Sequence, residues 1–519
     1  SVGEMDDPQD WNLWKKSANG QLIRKTPQDI IHDVWRDRNL GNIILLHDSG
    51  GDRSATVAAL PVIIDMFKNA GYKFITLSEL RGLPKSKMFP AVPPGELLLV
   101  RVDDFVFQSS YWFQIILITL FTLSVFLGVA RQIWLACLAL IRMRSEKTEE
   151  TSYPSMADFA PMVSVIIAAY NEEKVIQRTI NAILQSDYPR YEVIVVDDGS
   201  RDATCEKVKE AFGENPKVKL ITKENGGKAS ALNAGIGIAS GEIAVALDAD
   251  TLFLPDTMWK LVRHFSDPKV GAVSGNVKVG NTNNILTKWQ SLEYVTSQNF
   301  DRRAYDLLNC ITVVPGAVGA WRIDAIKQAG GYSGDTLAED TDLTWRIRRS
   351  GWRIANDVAA IGYTEAPESF SNLSKQRFRW AFGTLQNLWK HRDALFRYGS
   401  FGWIALPSLW VYQILFPAIS PFMDIAVIWA LLAGNFARVA IYYFFMIGLE
   451  LVGAALAIWM DKGDWKLLPW LLLQRFVYRQ MMYYVILKSL LKALSGSAVG
   501  WNKFERYGTA KLHAPWRKT

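Results

Sequence analysis

The sequence predicts an α/β domain with a mostly parallel, doubly wound sheet, placed between helices that cross a membrane. Between about residues 161 and 398, short β-branched runs alternate with helical patterns. Near-continuous apolar strands joined by helices are typical of a parallel sheet that is covered on both faces. Apolar stretches flank this region on both sides, and about 20 such residues span a bilayer as a helix.

The first apolar stretch predicts a transmembrane helix within residues 103–144. Residues 111–130 contain no charged side chain, and a soluble helix of this length rarely lacks a polar face. Arg142, Arg144 and Lys147 follow directly. The positive-inside rule therefore places the next domain in the cytoplasm and the preceding region outside.

Composition defines two further segments. Residues 1–102 have the pattern of a soluble α/β region, and the polar, proline-containing residues 145–160 are predicted to be a linker. The chain begins at Ser1 rather than Met and opens without a signal-peptide pattern. We therefore expect a fragment or a processed product.

Charge and cysteine content exclude some classes of protein. The formal net charge of +7 is modest, and the basic residues gather beside the apolar stretches. This favours a lipid bilayer as the partner and argues against nucleic acid. The three cysteines, Cys137, Cys205 and Cys310, lie far apart in the sequence and are too few for a disulfide framework or a zinc cluster.

Polar side chains follow three of the four strands predicted at the start of the α/β domain. The strands are predicted at residues 163–168, 192–196, 218–222 and 243–247, with helices around 173–185, 203–212 and 228–239. The first, second and fourth strands are followed by the polar or acidic residues 169–173, 197–200 and 248–250. Doubly wound sheets bind ligands at the carboxyl ends of their strands, so we expect the site there.

Asp248 and Asp250 are the candidate metal ligands. They lie one residue apart directly after a buried strand, where their oxygens can meet one divalent cation. Mg²⁺ or Mn²⁺ commonly binds through one or two carboxylates together with substrate phosphates. The alternative is a turn in which an aspartate caps the following helix.

Four motifs carry a resemblance to a known family. They are Asp197-Asp198, Asp248-Ala249-Asp250, Glu339-Asp340 and the Gln-Arg-Phe-Arg-Trp run at 376–380. Their order resembles that of processive family 2 glycosyltransferases, the bacterial enzymes that make poly-N-acetylglucosamine, chitin oligosaccharides, hyaluronan and cellulose. The resemblance covers Pro161 to the C-terminus. It implies a GT-A fold, a Rossmann-like domain that binds a nucleotide sugar, over residues 161–370.

The resemblance implies a donor site for a UDP-sugar. Asp198 resembles the aspartate that contacts the uracil base, with Tyr170 and Glu172 beside it. Lys228 resembles a nucleotide-pocket residue, although an exposed lysine at a helix start is an equal alternative. Asp250, helped by the other aspartate of its motif, would hold Mg²⁺ or Mn²⁺ on the diphosphate.

The remaining motifs imply the catalytic and acceptor groups. Asp340 resembles the general base, with Glu339 beside it in the substrate site. Arg379 would stabilise the leaving diphosphate, because its planar fork pairs with phosphate oxygens. Trp380 would offer a flat apolar face to the acceptor sugar, and Gln376 a hydrogen-bonding amide.

The run at 376–380 has a second interpretation, since residues 371–400 are basic and aromatic throughout. An amphipathic helix at the membrane interface would show the same composition. Both interpretations can hold for one helix.

The C-terminal region, residues 401–495, is predicted to be embedded in the membrane. It contains apolar stretches at 403–433, 439–460 and 467–494. Several prolines in the first stretch predict a broken or re-entrant segment. Three simple crossings would put the tail outside, whereas the basic residues of the tail at 496–519 favour the cytoplasm.

A signature within that tail, residues 500–506, also resembles the family. We expect it to close over the nucleotide if the tail is cytoplasmic.

A second resemblance lies near the N-terminus. Residues 6–11 and 43–48 resemble the last two motifs of NodB-type polysaccharide deacetylases, with His47 at the position of a histidine that assists catalysis. This implies the end of an α/β barrel. The earlier motifs of that family are missing, so we expect no deacetylase activity from this chain alone. Without the resemblance, His47 would be interpreted as a core histidine at a strand end.

Together these features predict a multi-pass membrane enzyme that polymerises a UDP-sugar onto a growing polysaccharide and couples synthesis to export. Fusion to a deacetylase remnant favours UDP-N-acetylglucosamine as the donor. Two alternatives remain: transfer of a single sugar to a lipid carrier, and a catalytically silent membrane conduit or scaffold for glycan.

Overall fold

The computed structural model describes residues 7–16, 22–39, 43–48, 52–432, 434, 436–496 and 506–512. The chain divides into two compact units, Ser1–Ser110 and Tyr111–Thr519.

The N-terminal unit is small and mainly helical over its described residues. Its strands β1 (Trp14–Lys16) and β2 (Leu22–Arg24) form an antiparallel pair. Four helices follow, α1 (Pro27–Arg36), α2 (Ser54–Asn69), α3 (Leu77–Leu80) and α4 (Lys85–Met88). Helices α1 and α2 enclose a buried apolar core. The described residues include no barrel sheet, so descent from a deacetylase barrel stays a prediction.

Helix α5 (Leu97–Glu150) contains the first predicted membrane span. It is one of three helical stretches, among the residues described, that are long and apolar enough to cross a membrane, with Phe401–Leu432 and Val439–Met460. The helix continues to Glu150, so the start of the predicted linker at 145–160 is helical instead.

The central sheet of the second unit has eight strands in the order β5-β4-β3-β6-β9-β8-β10-β7. They are β3 (Val163–Ala169), β4 (Tyr191–Asp197), β5 (Val218–Thr222), β6 (Ile243–Asp248), β7 (Leu252–Phe253), β8 (Val270–Val279), β9 (Gly319–Arg322) and β10 (Arg353–Thr364). The four predicted strands are confirmed as β3 to β6, and they pair in parallel.

The other half of the sheet is mixed. Strands β8 and β10 pair in parallel, whereas β9 runs antiparallel between β6 and β8, and β7 runs antiparallel to β10. The helices of this region are α6 (Ile176–Leu184), α7 (Thr204–Phe212), α8 (Lys228–Ile238), α9 (Thr257–Val262), α10 (Ile285–Glu293), α11 (Phe300–Leu307), α12 (Ile323–Gln328), α13 (Glu339–Arg349) and α14 (Phe370–Lys390). A 3₁₀ turn, Arg263–Ser266, follows α9, and a π-helical stretch, Tyr294–Asn299, joins α10 to α11.

The first C-terminal apolar stretch is one continuous helical run, so the prediction of a broken or re-entrant segment is wrong. It comprises a π-helical turn (Phe401–Ala405), α15 (Leu406–Ser408), a second π-helical turn (Leu409–Leu415) and α16 (Phe416–Leu432). Wider π-helical turns re-satisfy backbone groups that prolines release, so the helical run continues past its prolines.

The last apolar stretch, 467–494, is the interrupted one. After α17 (Phe436–Met460) come a 3₁₀ turn (Trp465–Leu467), α18 (Trp470–Gln474) and α19 (Tyr478–Leu494). The break between α18 and α19 leaves neither helix among the candidate membrane spans. Residues of α18 and α19 pack against α10 and α14.

Candidate active site

One cavity of about 1060 Å³ opens at the carboxyl ends of β3, β4 and β6. All of the predicted site residues line it: Tyr170, Glu172, Asp198, Lys228, Asp248, Asp250, Glu339, Asp340, Gln376, Arg379 and Trp380. They come from strand ends and from the helices α8, α13 and α14. The fold thus brings together side chains that lie as far apart in sequence as Tyr170 and Trp380.

Asp198 is buried and holds the loop that begins α8. Its Oδ1 accepts hydrogen bonds from the Gly226 backbone N–H (3.0 Å) and from Lys223 Nζ (2.7 Å). Its Oδ2 accepts from the Gly227 backbone N–H at 2.8 Å. Gly227 has φ +84°, a conformation that favours glycine. Asp198 therefore shapes the wall of the cavity where the nucleotide is expected.

Lys228 is not an exposed helix-start lysine, so that alternative is wrong. Its Nζ forms ion pairs with Asp248 Oδ1 at 2.7 Å and with Glu339 Oε1 at 2.9 Å. Burial disfavours the charged lysine, but the two carboxylates outweigh burial and raise the pKa of Lys228 well above its usual value. The lysine thus links the predicted metal site to the start of α13.

Within the described part of the chain, Asp250 has one carboxylate oxygen that is paired and one that is not. Its Oδ2 lies 2.5 Å from Arg506 and accepts a hydrogen bond from Thr364 Oγ1 at 3.2 Å. Its Oδ1 is buried and has no hydrogen-bond partner among the described residues. Burial raises the pKa of Asp250 despite Arg506.

Asp248 differs from Asp250 in its electrostatics. Burial acts against its ionisation, but Lys228 outweighs burial and lowers the pKa of Asp248. Two adjacent carboxylates, one with a buried and uncommitted oxygen, form a donor set of the kind that Mg²⁺ and Mn²⁺ prefer.

Arg506 belongs to a tail segment, residues 506–512, that lies against the end of β10. The Glu365 carboxylate accepts hydrogen bonds from the backbone N–H groups of Tyr507 (2.6 Å), Gly508 (2.8 Å) and Thr509 (3.1 Å). Arg506 also donates to the Glu365 carbonyl at 2.7 Å. The predicted signature at 500–506 lies outside the described residues except for Arg506, and its sequence did not show that this arginine reaches Asp250.

We predict that Glu365→Ala releases this tail segment. The substitution removes a carboxylate that accepts three backbone hydrogen bonds, and each bond to a charged group contributes about 1.5–3 kcal/mol. Hydrogen–deuterium exchange read by mass spectrometry should show amides 507–509 exchanging at least about tenfold faster. Glu210→Ala, on the exposed surface of α7, is the control, and unchanged protection in Glu365→Ala would contradict the prediction.

Asp340 lies in the first turn of α13 and faces the cavity. Its Oδ1 accepts from the Thr341 backbone N–H at 2.7 Å, and its Oδ2 from the Gly316 backbone N–H at 3.2 Å. Burial, reinforced by the neighbouring Glu339 carboxylate, raises the pKa of Asp340 to about 6 despite Lys228. A carboxyl group with this pKa can exchange a proton near neutral pH.

Helix α14 turns one face of residues 376–380 into the cavity. Gln376 and Arg377 are buried, and Gln376, Arg379 and Trp380 line the cavity. Phe370 and Trp389, near the ends of the helix, are exposed. The helix therefore has a face that lines the cavity, and its position at the membrane interface stays a prediction. Sequence reasoning missed Arg377.

The sequence of this region matches a known family. Residues 160–383 match the family model described as "Glycosyltransferase like family 2". Together with the parallel strands β3 to β6 and the acidic cavity at their carboxyl ends, this match defines residues 160–383 as a glycosyltransferase domain of family 2, with a GT-A-like fold.

Part of the chain is similar in sequence to two curated synthases. A poly-beta-1,6-N-acetyl-D-glucosamine synthase from Staphylococcus epidermidis is 35% identical over 223 residues, which cover 43% of this chain and 54% of the relative. The synthase of the same name from Staphylococcus aureus strain COL is 33% identical over 222 residues, with the same coverage. The chain thus spans about half the length of the curated relatives it matches.

Two solved structures are also similar. The mannosyltransferase PcManGT from Pyrobaculum calidifontis, in complex with GDP-Man and Mn²⁺, is 23% identical with a TM-score of 0.49, covering 71% of this chain and 99% of that one. TarS 1–349 from S. aureus, in complex with UDP-GlcNAc, is 19% identical with a TM-score of 0.32, covering 43% and 66%.

Proposed function

We propose that this protein is a membrane-bound, processive, inverting glycosyltransferase that polymerises UDP-N-acetylglucosamine. The observation that carries the proposal is the lining of a single cavity. A carboxylate suited to base catalysis, a pair of candidate metal ligands and a tryptophan all line it. The synthases to which the chain is similar support N-acetylglucosamine as the sugar.

Asp340 acts as the general base in this proposal. It takes the proton from the acceptor hydroxyl as that oxygen attacks the anomeric carbon and the bond to UDP breaks. The nucleophile arrives opposite the leaving group, so the configuration inverts. Arg379 stabilises the negative charge that gathers on the departing diphosphate. The N–H donors of Gly316 and Thr341 hold the Asp340 carboxylate in place for this step.

Asp248 and Asp250 would hold a divalent cation, Mg²⁺ or Mn²⁺. The uncommitted buried oxygen of Asp250 fits this role. When bound, such an ion neutralises charge on the diphosphate. Lys228 and Arg506 already pair with these carboxylates. These two side chains therefore also lie beside the expected position of the phosphates.

The acceptor glycan would enter from the opposite side of the cavity. Trp380 offers its ring to the terminal sugar, and Gln376 offers its amide. Beyond them the cavity extends to Gln413, Pro417 and Tyr483 in the C-terminal helices. A cavity continuous from the transfer site to these helices supports coupling of synthesis to export.

The transferase domain and the tail would lie on the same side of the membrane, which the basic residues after the first span place in the cytoplasm. One candidate span precedes the domain and two follow it. Two crossings return the chain to the side from which it left, so the tail would lie on the same side as the domain. The hydrogen bonds from the tail to Glu365 agree with this arrangement.

For the N-terminal unit we propose descent from a polysaccharide deacetylase, outside the membrane. His47 Nδ1 lies 2.9 Å from the buried Asp10 Oδ1, and Asp10 Oδ2 accepts from the His47 backbone N–H at 3.0 Å. Thr56 Oγ1 donates to the same oxygen at 2.8 Å. An oriented histidine–aspartate pair is what the two resembling motifs would leave if the rest of the catalytic site were lost.

The test of the main proposal is to incubate detergent-purified protein with UDP-N-acetylglucosamine and Mg²⁺ or Mn²⁺ and to size the product. Long polymer is the expected result. A single sugar on a lipid carrier would overturn processivity, and polymer from another nucleotide sugar would overturn the choice of donor. If no donor is turned over, the chain is a silent scaffold.

The raised pKa of Asp340 predicts the pH dependence of this reaction. The base must be ionised, so kcat/KM should be constant above about pH 7 and fall about tenfold per pH unit below about pH 6. Glu339 and Lys228 are the charged groups around Asp340 that, with burial, set the pH at which kcat/KM begins to fall. Initial rates at subsaturating donor measure it, and a flat profile down to about pH 5 would contradict the prediction.

A further inference from the structure

A buried cluster of polar side chains lies beneath Trp380. The Arg377 guanidinium carbon is 4.2 Å from the centre of the Trp380 ring. Arg377 Nη2 donates to Glu293 Oε2 at 2.7 Å and to the Tyr478 hydroxyl at 3.2 Å, and its Nη1 donates to Gln376 Oε1 at 2.5 Å. The Tyr478 hydroxyl in turn donates to Glu293. Arg377 and Tyr478 thus share one carboxylate oxygen of Glu293.

The cluster joins three elements that are distant in sequence. Glu293 ends α10, Arg377 lies in α14 and Tyr478 begins α19. Only 2% of the Arg377 side chain is exposed. Trp289 packs edge-on against Tyr478 with ring centres 6.1 Å apart. A charge buried this deeply is tolerated only when it is paired, so the cluster has one preferred geometry.

We propose that Arg377 is a positioning residue for the acceptor, and that Glu293 and Tyr478 hold it in place. Arg377 and Trp380 are three residues apart on one helix and so lie on the same face. The guanidinium fixes the orientation of the Trp380 ring, and it occupies the Gln376 amide oxygen, which leaves the Gln376 NH₂ to donate to a sugar hydroxyl. This inference rests on the proposed function and deepens it, because it names the groups that bind the glycan end.

The cluster is separate from the groups expected to bind the donor. Asp340 is held by Gly316 and Thr341, and Asp248 by Lys228. No described contact links Arg377 directly to Asp248, Asp250 or Asp340. We call the contacts of Arg377 with Glu293, Tyr478, Gln376 and Trp380 the clamp. Loss of the clamp should weaken acceptor binding and leave donor binding intact. A general loss of folding would weaken both.

The experiment compares Arg377→Met with the wild-type protein. Methionine keeps an apolar stem but removes the charge, the stacking on Trp380 and the bond to Gln376. We expect KM for a short N-acetylglucosamine oligosaccharide to rise about tenfold, products to shorten, and KM for UDP-N-acetylglucosamine to stay within about twofold. Arg377→Lys should recover part of the loss, and Tyr478→Phe should shift the same constant by a smaller factor.

Arg263→Met is the matched control. Arg263 is also buried, pairs with Asp357 and Glu150, and lies over the Tyr153 ring at 4.5 Å, yet it does not line the cavity. It should lower thermal stability as much as Arg377→Met does without changing KM for the oligosaccharide. Equal changes in both constants, or equal effects of the two substitutions, would overturn the inference and leave the proposed function standing.

Direct binding separates the two proposals. If the wild-type protein turns over no UDP-N-acetylglucosamine, the proposed function fails, and calorimetric titration with the oligosaccharide decides the inference. About tenfold weaker binding by Arg377→Met than by the wild type would support the clamp. Equal binding, or none by the wild type, would overturn it.

Discussion

Replacing Asp340 with asparagine should lower the rate of polymer synthesis by about 10²–10⁴-fold, the usual contribution of a general base. Asparagine has nearly the same shape, so its amide oxygen can still accept a hydrogen bond from the Gly316 or Thr341 backbone N–H that now bind the carboxylate. What it loses is the ability to take a proton. The loss should therefore appear in kcat, and KM for the UDP-sugar should change little.

Asp342→Asn is the matched control for this experiment. Asp342 lies two residues further along α13, is fully buried, and pairs with Arg346, Lys390 and His391. It does not line the cavity. Its substitution should lower the melting temperature with little effect on the activity of folded protein, the reverse of what Asp340→Asn should do. Polymer made at near wild-type rate by Asp340→Asn would exclude this residue as the base.

The product of slow turnover in Asp340→Asn is informative as well. If the variant still hydrolyses UDP-sugar to free sugar, the donor site is intact and only the acceptor step is lost. If neither reaction occurs and UDP no longer binds, the substitution has disturbed the fold instead.

The half of the sheet that could be predicted from sequence is the half built from local pattern. Strands β3 to β6 are apolar runs followed by polar residues, so both their positions and the edge that carries the site follow from period and composition. Strand β9 could not be predicted this way, since its four residues pair with β6 and β8, which precede it in the chain.

The site residues also fall into two groups, those that a local sequence pattern predicts and those that only the fold brings together. A single aspartate after a strand could cap the following helix. The acidic motifs stand out because several of them follow strands that end at one edge of the sheet. The clamp on Arg377 depends on Glu293 and Tyr478, which lie 84 and 101 positions away. No local pattern contains such a contact. From sequence alone, an arginine between glutamine and phenylalanine is equally consistent with a helix at the membrane interface.

The C-terminal region shows where composition misleads. The stretch at 467–494 is apolar enough to predict a span, yet it breaks between α18 and α19. There the Gln474 side chain donates to the Trp289 carbonyl and Arg475 pairs with Glu450. Polar partners supplied by other helices can stabilise a break that the apolar content of the segment would argue against.

Removing divalent cations should have an effect comparable to that of losing the base. A chelator should reduce polymer synthesis about a hundredfold or more, since a metal on a phosphoryl oxygen contributes several kcal/mol of charge stabilisation. Added Mg²⁺ or Mn²⁺ should restore it. The Asp250 oxygen that has no partner among the described residues is the atom that we propose as the metal ligand.

Asp250→Ala tests whether that oxygen is the ligand. The variant should need at least about tenfold more metal to reach half-maximal rate and should bind Mn²⁺ more weakly in a calorimetric titration. Asp256→Ala removes a carboxylate that pairs with Lys260 outside the cavity, and it should change neither value. Lys228 and Arg506 lie beside the same two aspartates. Their charges could therefore neutralise the diphosphate without a metal ion. Full activity in chelator would therefore assign the task to those two side chains and overturn the metal site, whereas loss of activity would show that their charge does not replace the ion.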